Sequence, residues 1–148
     1  MRFKYSDGGR EAAGRKGSTG DCVCRAICNA TGRPYAEVYN ALAKGNQTER
    51  RTKRSQSDSY ANRRSASGGI NVKRKWFRDY MYSLGFRWTP TMKIGQGCKV
   101  HLREDELPKG NLVVSTSRHY TCVKDGVLFD TYDCTRDGAR CVYGYWSL

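Results

Sequence analysis

The strongest constraint in this sequence is a hairpin signal around residues 125 and 126. The segments Tyr120–Lys124 and Val127–Tyr132 are rich in β-branched and aromatic residues, a composition typical of strands. Between them stand Asp125 and Gly126, a pair preferred in two-residue hairpin turns because both turn positions need positive φ. The pattern predicts an antiparallel hairpin whose register is fixed by the turn.

That register brings a histidine and a carboxylate within reach of each other. Counting outward from the turn, Thr121 stands opposite Asp130, and His119 stands opposite Tyr132. Because residues directly opposite share a face, Asp130 lies on the His119 face, one diagonal step away. Asp133 is the alternative carboxylate, and it reaches that face only if the register slips. A carboxylate bonded to an imidazole fixes its tautomer and stabilises the imidazolium.

The N-terminal half carries helical patterns. Asp21 is a suitable N-cap for a helix that ends near Thr31 and Gly32. Pro34 suits the first position of a second helix, whose apolar residues recur at i, i+3, i+4 and i+7 and which we expect Gly45 to end. A third helix is predicted from about Val72 to Leu84.

Strand patterns dominate after the third helix, so the sequence predicts an α+β fold with N-terminal helices packed on a C-terminal antiparallel sheet. The length of 148 residues suits a single domain. Residues 1–19 are Gly-rich and polar, and we expect them to form an extended or poorly ordered lead-in. Besides the hairpin, the predicted strands are Phe86–Thr89, Lys99–Leu102, Asn111–Ser115 and Cys141–Trp146.

The chain has seven cysteines, an odd number, and its N-terminal stretch has no apolar segment of the kind found in signal peptides. We therefore expect reduced thiols, most of them buried as small hydrophobes, rather than a disulfide framework. Cys22, Cys24 and Cys28 are close in sequence, but no second close pair accompanies them. Structural zinc sites use paired ligands, so we expect no metal and no cofactor.

Cys22 has the local sequence of a nucleophile. It follows the small residues Gly17–Gly20 and stands in the first turn of a predicted helix, where the helix dipole and unpaired N–H groups favour thiolate. A nucleophilic cysteine needs a base beside it, and His119 is the better placed of the two histidines.

This arrangement resembles the papain-like cysteine peptidase superfamily, in which the catalytic residues follow the chain order Cys, His, Asp. The resemblance rests on Gly20-Asp21-Cys22 opening a helix, on Arg118-His119 in a late strand, and on Asp130 in the next strand. It implies a papain-like fold and a thiol peptidase or related acyl-transfer enzyme acting on an amide, isopeptide or thioester. Cys22 would be the nucleophile, His119 the general base and acid, and Asp130 the orienting acid. Papain-like enzymes usually carry a Gln several residues before the cysteine, and Arg15–Thr19 contains none, so this chain departs from the superfamily at its oxyanion site. The resemblance then implies that the backbone N–H of Cys22 binds the oxyanion, with the Ser18 or Thr19 side chain as a weaker donor.

A narrower resemblance covers most of the chain and is to a family of uncharacterised phage and prophage proteins. It implies a location in the cytoplasm of a bacterial host or in a virion. The stretches that carry it are Gly20–Cys22, Trp88–Met92, Gly97–Leu102, Asp130–Asp133 and Cys141–Trp146.

Positive charge is concentrated in one segment. The chain has a net charge of +13, and most of the excess lies between Lys44 and Arg78. Within that segment, residues 45–69 are poor in aliphatic side chains and are predicted to form a basic loop insertion. The alternative function is therefore a non-catalytic phage accessory or virion protein that binds nucleic acid, an acidic protein or a host protein through this loop. No apolar run is long enough to span a membrane, so a membrane partner is not expected. The candidate binding residues are Arg50, Arg51, Lys53, Arg54, Arg63 and Arg64.

Overall fold

The computed structural model of the chain describes residues 1–15, 20–48 and 69–148. Within these ranges, three α-helices pack on a six-stranded mixed sheet, which confirms the α+β class. In chain order the elements are β1 (Arg2–Tyr5), α1 (Cys22–Thr31), α2 (Tyr35–Gln47), α3 (Lys75–Ser83), β2 (Arg87–Pro90), a 3₁₀ turn (Glu104–Glu106), β3 (Asn111–Thr116), β4 (His119–Lys124), β5 (Val127–Asp130) and β6 (Val142–Ser147).

The strand order across the sheet is β1-β5-β4-β3-β6-β2. Four of the five neighbouring pairs are antiparallel, but β1 runs parallel to β5, with Arg2 beside Val127 and Tyr5 beside Asp130. The expectation of a purely antiparallel sheet was therefore wrong at this edge. An uncovered edge of β5 presents unpaired N–H and C=O groups, and the N-terminal segment satisfies them.

The hairpin register is confirmed. Lys124 pairs with Val127 and Cys122 with Phe129, and both turn residues have positive φ, 47° at Asp125 and 79° at Gly126. A positive φ is costly for most residues but accessible to Asp and Gly. The turn thus fixes the alignment of β4 with β5, which is the alignment from which the histidine and carboxylate were placed.

Two apolar clusters make up the core. One contains α1, α2 and α3 residues packed against Val113, Tyr120, Cys122 and Trp146 of the sheet. The other contains Leu112, Val114, Val123 and Leu128 and is covered by Leu102, Leu107 and Cys134. Because side chains alternate along a strand, neighbouring residues such as Val113 and Val114 enter different clusters. The sheet is thus buried on both faces in its centre, and α1 contacts β3, β4 and β5.

The helix boundaries differ from the predictions at α2 and at α3, which begins at Lys75 rather than near Val72. Gly32 has φ of 73° and follows α1, as predicted, whereas Gly45 lies inside α2, which continues to Gln47. An added Cβ at Gly45 would overlap the Trp76 ring. Tight packing of the Trp76 ring, rather than helix termination, therefore accounts for the glycine. Residues 45–47 of the predicted loop insertion 45–69 therefore belong to α2.

The predicted strand Lys99–Leu102 is wrong, because only an isolated bridge joins His101 to Cys141. A disulfide between Cys98 and Cys141 holds this segment beside the start of β6. The expectation of reduced thiols is thus wrong for these two cysteines. Cys22, Cys24, Cys28, Cys122 and Cys134 are free thiols, and all but Cys22 are buried.

The lead-in is extended at its start, as expected, but it belongs to the fold. Beyond β1, the turns at residues 8–14 bring Arg10 into the interior, where it is 7% exposed. None of the helices in the described ranges is long and apolar enough to cross a membrane.

Candidate active site

The His119 imidazole and the Asp130 carboxylate form a direct hydrogen bond at the start of β4 and the end of β5. His119 Nε2 lies 2.7 Å from Asp130 Oδ2, and both residues are buried, at 9% and 4% exposure. Since Nε2 is used in this way, Nδ1 is the ring nitrogen left for a second partner. The hairpin register therefore brings together the pair that the sequence predicts.

Both oxygens of Asp130 accept further hydrogen bonds. Thr121 Oγ1 donates to Oδ2 and the backbone N–H of Thr131 donates to Oδ1, each at 2.7 Å. Burial by itself would raise the pKa of Asp130, but the hydrogen bonds from His119 and Thr121, the charge of His119 and the Thr131 N–H lower it below its ordinary value. Asp130 is thus held as a carboxylate.

Cys22 is the first residue of α1 and is partly buried against the sheet. Burial would raise the pKa of its thiol, but interactions with His119 and with the backbone N–H of Tyr120, and the positive charges of His119 and Arg25, lower it. The N-terminal end of a helix favours a negative charge in the same way. The thiol therefore lies in an environment that stabilises its thiolate.

His119 experiences the complementary effects. Its burial favours the neutral ring, but the hydrogen bond with Asp130, interactions with Cys134 and Cys22, and the negative charge of Cys22 together raise the pKa of His119 to about 12. A lowered thiol pKa beside a raised imidazole pKa favours a thiolate–imidazolium pair. Such a pair is the reactive form of a cysteine nucleophile with its base.

Asp21 occupies the N-cap position of α1, but its side chain does not cap the helix. The carboxylate is fully buried and instead accepts hydrogen bonds from Arg10, at 2.9 Å, from Arg25 and from the Tyr35 hydroxyl. The prediction of an N-cap is therefore correct for position and wrong for the side chain. Two arginines compete successfully for the oxygens because charge-assisted hydrogen bonds are stronger than neutral ones.

Cys134 lies beside the His119–Asp130 pair, with its Sγ 3.6 Å from Asp130 Oδ2. One ligand atom from each of these three buried residues lies within 4.8 Å of the others, a set that resembles a metal-binding cluster. Two ligands of one tetrahedral zinc ion are separated by about 3.3–3.8 Å, whereas Nε2 and Oδ2 are 2.7 Å apart. The spacing is therefore that of a hydrogen bond.

Several other predicted residues lie elsewhere. Asp133 is exposed and accepts hydrogen bonds from the backbone N–H and the hydroxyl of Thr135. His101 Nδ1 contacts Glu106 Oε1 at 3.2 Å. Thr19, the predicted side-chain donor to the oxyanion, lies outside the described residues. The candidate binding residues Arg50, Arg51, Lys53, Arg54, Arg63 and Arg64 also lie outside them, and their role stays a prediction.

Comparisons with protein-family models, with curated proteins and with solved structures found no match to this chain. The described residues form an α+β fold with a buried His–Asp hydrogen bond on strands that pack against a helix beginning at a cysteine.

Sequence reasoning did not identify Arg25, Thr121 or Cys134 as parts of this site. Thr121 had a usable signal, because the hairpin register places it opposite Asp130. Arg25 had a weaker one, since it stands three positions after Cys22, about one helical turn away. No sequence pattern indicated Cys134, because its position near Asp130 depends on the path of the loop that follows β5.

Proposed function

We propose that this protein is a papain-like cysteine peptidase or a related thiol acyl-transfer enzyme. The observation that carries the proposal is the buried hydrogen bond between His119 Nε2 and Asp130 Oδ2, on strands that pack against the helix beginning at Cys22. Nucleophile, base and orienting acid come from three different elements, α1, β4 and β5. This division of roles is that of a catalytic triad.

The reaction begins with attack of the Cys22 thiolate on the carbonyl carbon of an amide, isopeptide or thioester. A C–S bond forms, and the carbonyl electron pair moves to oxygen. The oxyanion accepts hydrogen bonds from backbone N–H groups such as that of Cys22, since the first N–H groups of a helix have no partner within it.

Collapse of this tetrahedral intermediate breaks the bond to the leaving amine or thiol, which takes its proton from the His119 imidazolium. The acyl group remains on Cys22. His119, now neutral, accepts a proton from water or from an acceptor amine, which attacks the acyl-enzyme and restores the thiolate. Asp130 keeps the imidazole in one tautomer through both steps.

Alkylation by iodoacetamide at about pH 6 tests the nucleophile without knowledge of the substrate. An ordinary thiol has a pKa of about 8.5 and is almost entirely protonated at that pH, whereas the lowered pKa of Cys22 leaves a larger thiolate fraction. Mass spectrometry of the digested protein should show Cys22 carboxamidomethylated first, with a rate well above that of N-acetylcysteine. In His119→Ala the rate should fall to that of the reference thiol.

Hydrolysis of p-nitrophenyl acetate tests the covalent step. A burst of p-nitrophenol that approaches one equivalent per protein indicates an acyl-enzyme, and Cys22→Ser should abolish it. Cys28→Ser is the matched control, because that free thiol lies on the same helix and is buried. The proposal fails if Cys22 is alkylated no faster than N-acetylcysteine.

A further inference from the structure

Six charged groups form an alternating series through the interior. In spatial order they are Arg10, Asp21, Arg25, Asp130, His119 and Cys22, with the last two taken as imidazolium and thiolate. Their formal charges alternate in sign and sum to zero. A buried charge is costly unless it is paired, so each of the four inner members is stabilised by an opposite charge on both sides and each end member by one.

Arg25 is the member that joins the two halves of this series. It lies on α1, is 9% exposed, and donates from one terminal nitrogen to Asp21. Its other terminal nitrogen lies 3.9 Å from Asp130 Oδ1, which is an electrostatic contact rather than a hydrogen bond. One planar guanidinium thereby connects the helix of the nucleophile with the strand of the orienting acid.

The contact with Asp130 uses the oxygen that His119 does not use. His119 and Thr121 form hydrogen bonds with Oδ2. The Thr131 N–H donates a hydrogen bond to Oδ1, and Arg25 makes its electrostatic contact with the same oxygen. Because both carboxylate oxygens of Asp130 have partners, rotation of the carboxylate would break contacts at Oδ1 and at Oδ2. The orientation of Asp130 in turn determines the plane of the His119 ring and the direction of its second nitrogen.

We propose that Arg25 is a positioning residue, which holds the Asp130 carboxylate in the orientation that directs His119 at Cys22 and supplies the positive charge that stabilises the thiolate. This inference rests on the proposed function and adds a residue to its machinery. Arg25 does not contact the reacting atoms: it orients His119 through Asp130, and its charge acts on the Cys22 thiolate through space.

Several other groups lie near Cys22 and His119 and also affect the pKa values of these two side chains. They are the Tyr120 phenol and backbone N–H from β4, Asp130 from β5, and Tyr132 and Cys134 from the segment that follows β5. Arg25 is the cationic side chain that faces the pair from α1. Replacing Arg25 by a neutral residue therefore removes a positive charge close to the Cys22–His119 pair.

The pH profile of Cys22 alkylation by iodoacetamide is the experiment. Arg25→Met removes the charge but retains much of the side-chain volume. Loss of a nearby opposite charge raises the pKa of the thiol, so the profile should move to higher pH by about one unit. Arg25→Lys retains a charge but has one ammonium for two carboxylates, so its profile should move by about half as much.

Val38→Ala is the control for a merely structural effect. Val38 is fully buried on α2 in the same core cluster, so its truncation lowers stability without removing a charge. Its alkylation profile should match that of the wild type. A folded Arg25→Met variant with the wild-type profile overturns the inference, and if that variant does not fold, an unshifted profile in Arg25→Lys overturns it.

A second readout separates this inference from the proposed function. In ¹⁵N-labelled protein, the His119 Nε2–H proton reports its hydrogen bond to Asp130 by its chemical shift, whatever the reactivity of Cys22. The resonance should move in Arg25→Met and Arg25→Lys but not in Val38→Ala. If wild-type Cys22 alkylates as an ordinary thiol while this pattern is seen, the proposed function fails and the positioning role of Arg25 stands; an unmoved resonance in both Arg25 variants overturns the role.

Discussion

Asp130 is the residue through which most of the candidate site is connected. It accepts hydrogen bonds from His119, Thr121 and the Thr131 N–H, and it lies near Arg25 and Cys134. Because it is buried and charged, its loss removes a counter-charge that His119 cannot replace from solvent. Loss of this buried carboxylate should therefore affect the site more than the loss of a carboxylate in an exposed ion pair would.

Asp130→Asn tests that dependence. Asparagine has nearly the same shape but no charge, so the pKa of His119 should fall and the thiolate–imidazolium pair should be less populated. We expect the rate of the p-nitrophenyl acetate burst to fall roughly 10²-fold or more. The variant should retain its helix and sheet content by circular dichroism.

Asp133→Asn is the matched control, because Asp133 is close in sequence but exposed and bonded to Thr135. Its burst rate should equal that of the wild type. An unchanged rate in Asp130→Asn, or an equal loss in Asp133→Asn, would contradict the assignment of the orienting acid.

The positions of individual residues could be predicted where a short stretch of sequence determines the backbone geometry. The turn at Asp125 and Gly126 sets the hairpin register, and the register was sufficient to choose Asp130 over Asp133. Arg25 was not identifiable in the same way, because its contact with Asp130 depends on how α1 packs across the sheet. Asp21 shows the same limit, since its helix-start position suggested a cap whereas its partners include Arg10 and Tyr35.

At the element scale, α2 shows how packing outweighs intrinsic preference. Glycine inside a helix costs about 0.5–1 kcal/mol relative to alanine, which is why Gly45 was expected to end the helix. The Trp76 ring occupies the space where a side chain would stand. Nothing local to Gly45 indicates this neighbour, because Trp76 follows at the start of α3, beyond the predicted basic loop insertion.

Gly45→Ala should destabilise the protein, although alanine is the better helix former. The new Cβ would meet the Trp76 ring, and overpacking of this kind typically costs about 1–3 kcal/mol. Urea unfolding followed by circular dichroism measures the change in the free energy of unfolding.

The same substitution in a Trp76→Leu background completes a double-mutant cycle. There the cost of Gly45→Ala should largely disappear, because the smaller side chain leaves room for the methyl group. A cost that is the same in both backgrounds would show that the close approach of the Trp76 ring is not the reason for the glycine.

β1 is the element that sequence reasoning missed. Its four residues are exposed, and it has no alternating pattern to distinguish it from an extended lead-in. Its partner, β5, lies near the other end of the chain. By contrast, α1, the hairpin and β6 were predicted nearly at their observed bounds, because capping, turn and strand signals there are local.

At the scale of the whole molecule, the disulfide between Cys98 and Cys141 ties a long irregular segment to the sheet. The two cysteines are 43 positions apart. In the chain-entropy account, closing a loop of this size in the unfolded state stabilises the folded protein by about 2–4 kcal/mol. The odd number of cysteines concealed this pair, since composition cannot indicate which cysteines are neighbours.

The double variant Cys98→Ala/Cys141→Ala should therefore unfold at lower urea concentration than the oxidised protein. Dithiothreitol should lower the stability of the wild type by a similar amount and leave the double variant unchanged. Alkylation of Cys22 should keep its pH profile in all three samples, because both cysteines lie outside the Cys22, His119 and Asp130 contacts. Equal stability of the variant and the oxidised protein would show that the bridge adds nothing.

The distribution of the site along the chain also sets when reactivity can arise during synthesis. Cys22 is translated early, whereas His119 and Asp130 are translated late, and β1 must wait for β5 before it has a partner. A ribosome-bound chain that stops short of the hairpin carries a cysteine with no base beside it. Such a timing rule would leave the Cys22 thiol without its neighbouring histidine until the hairpin has been made.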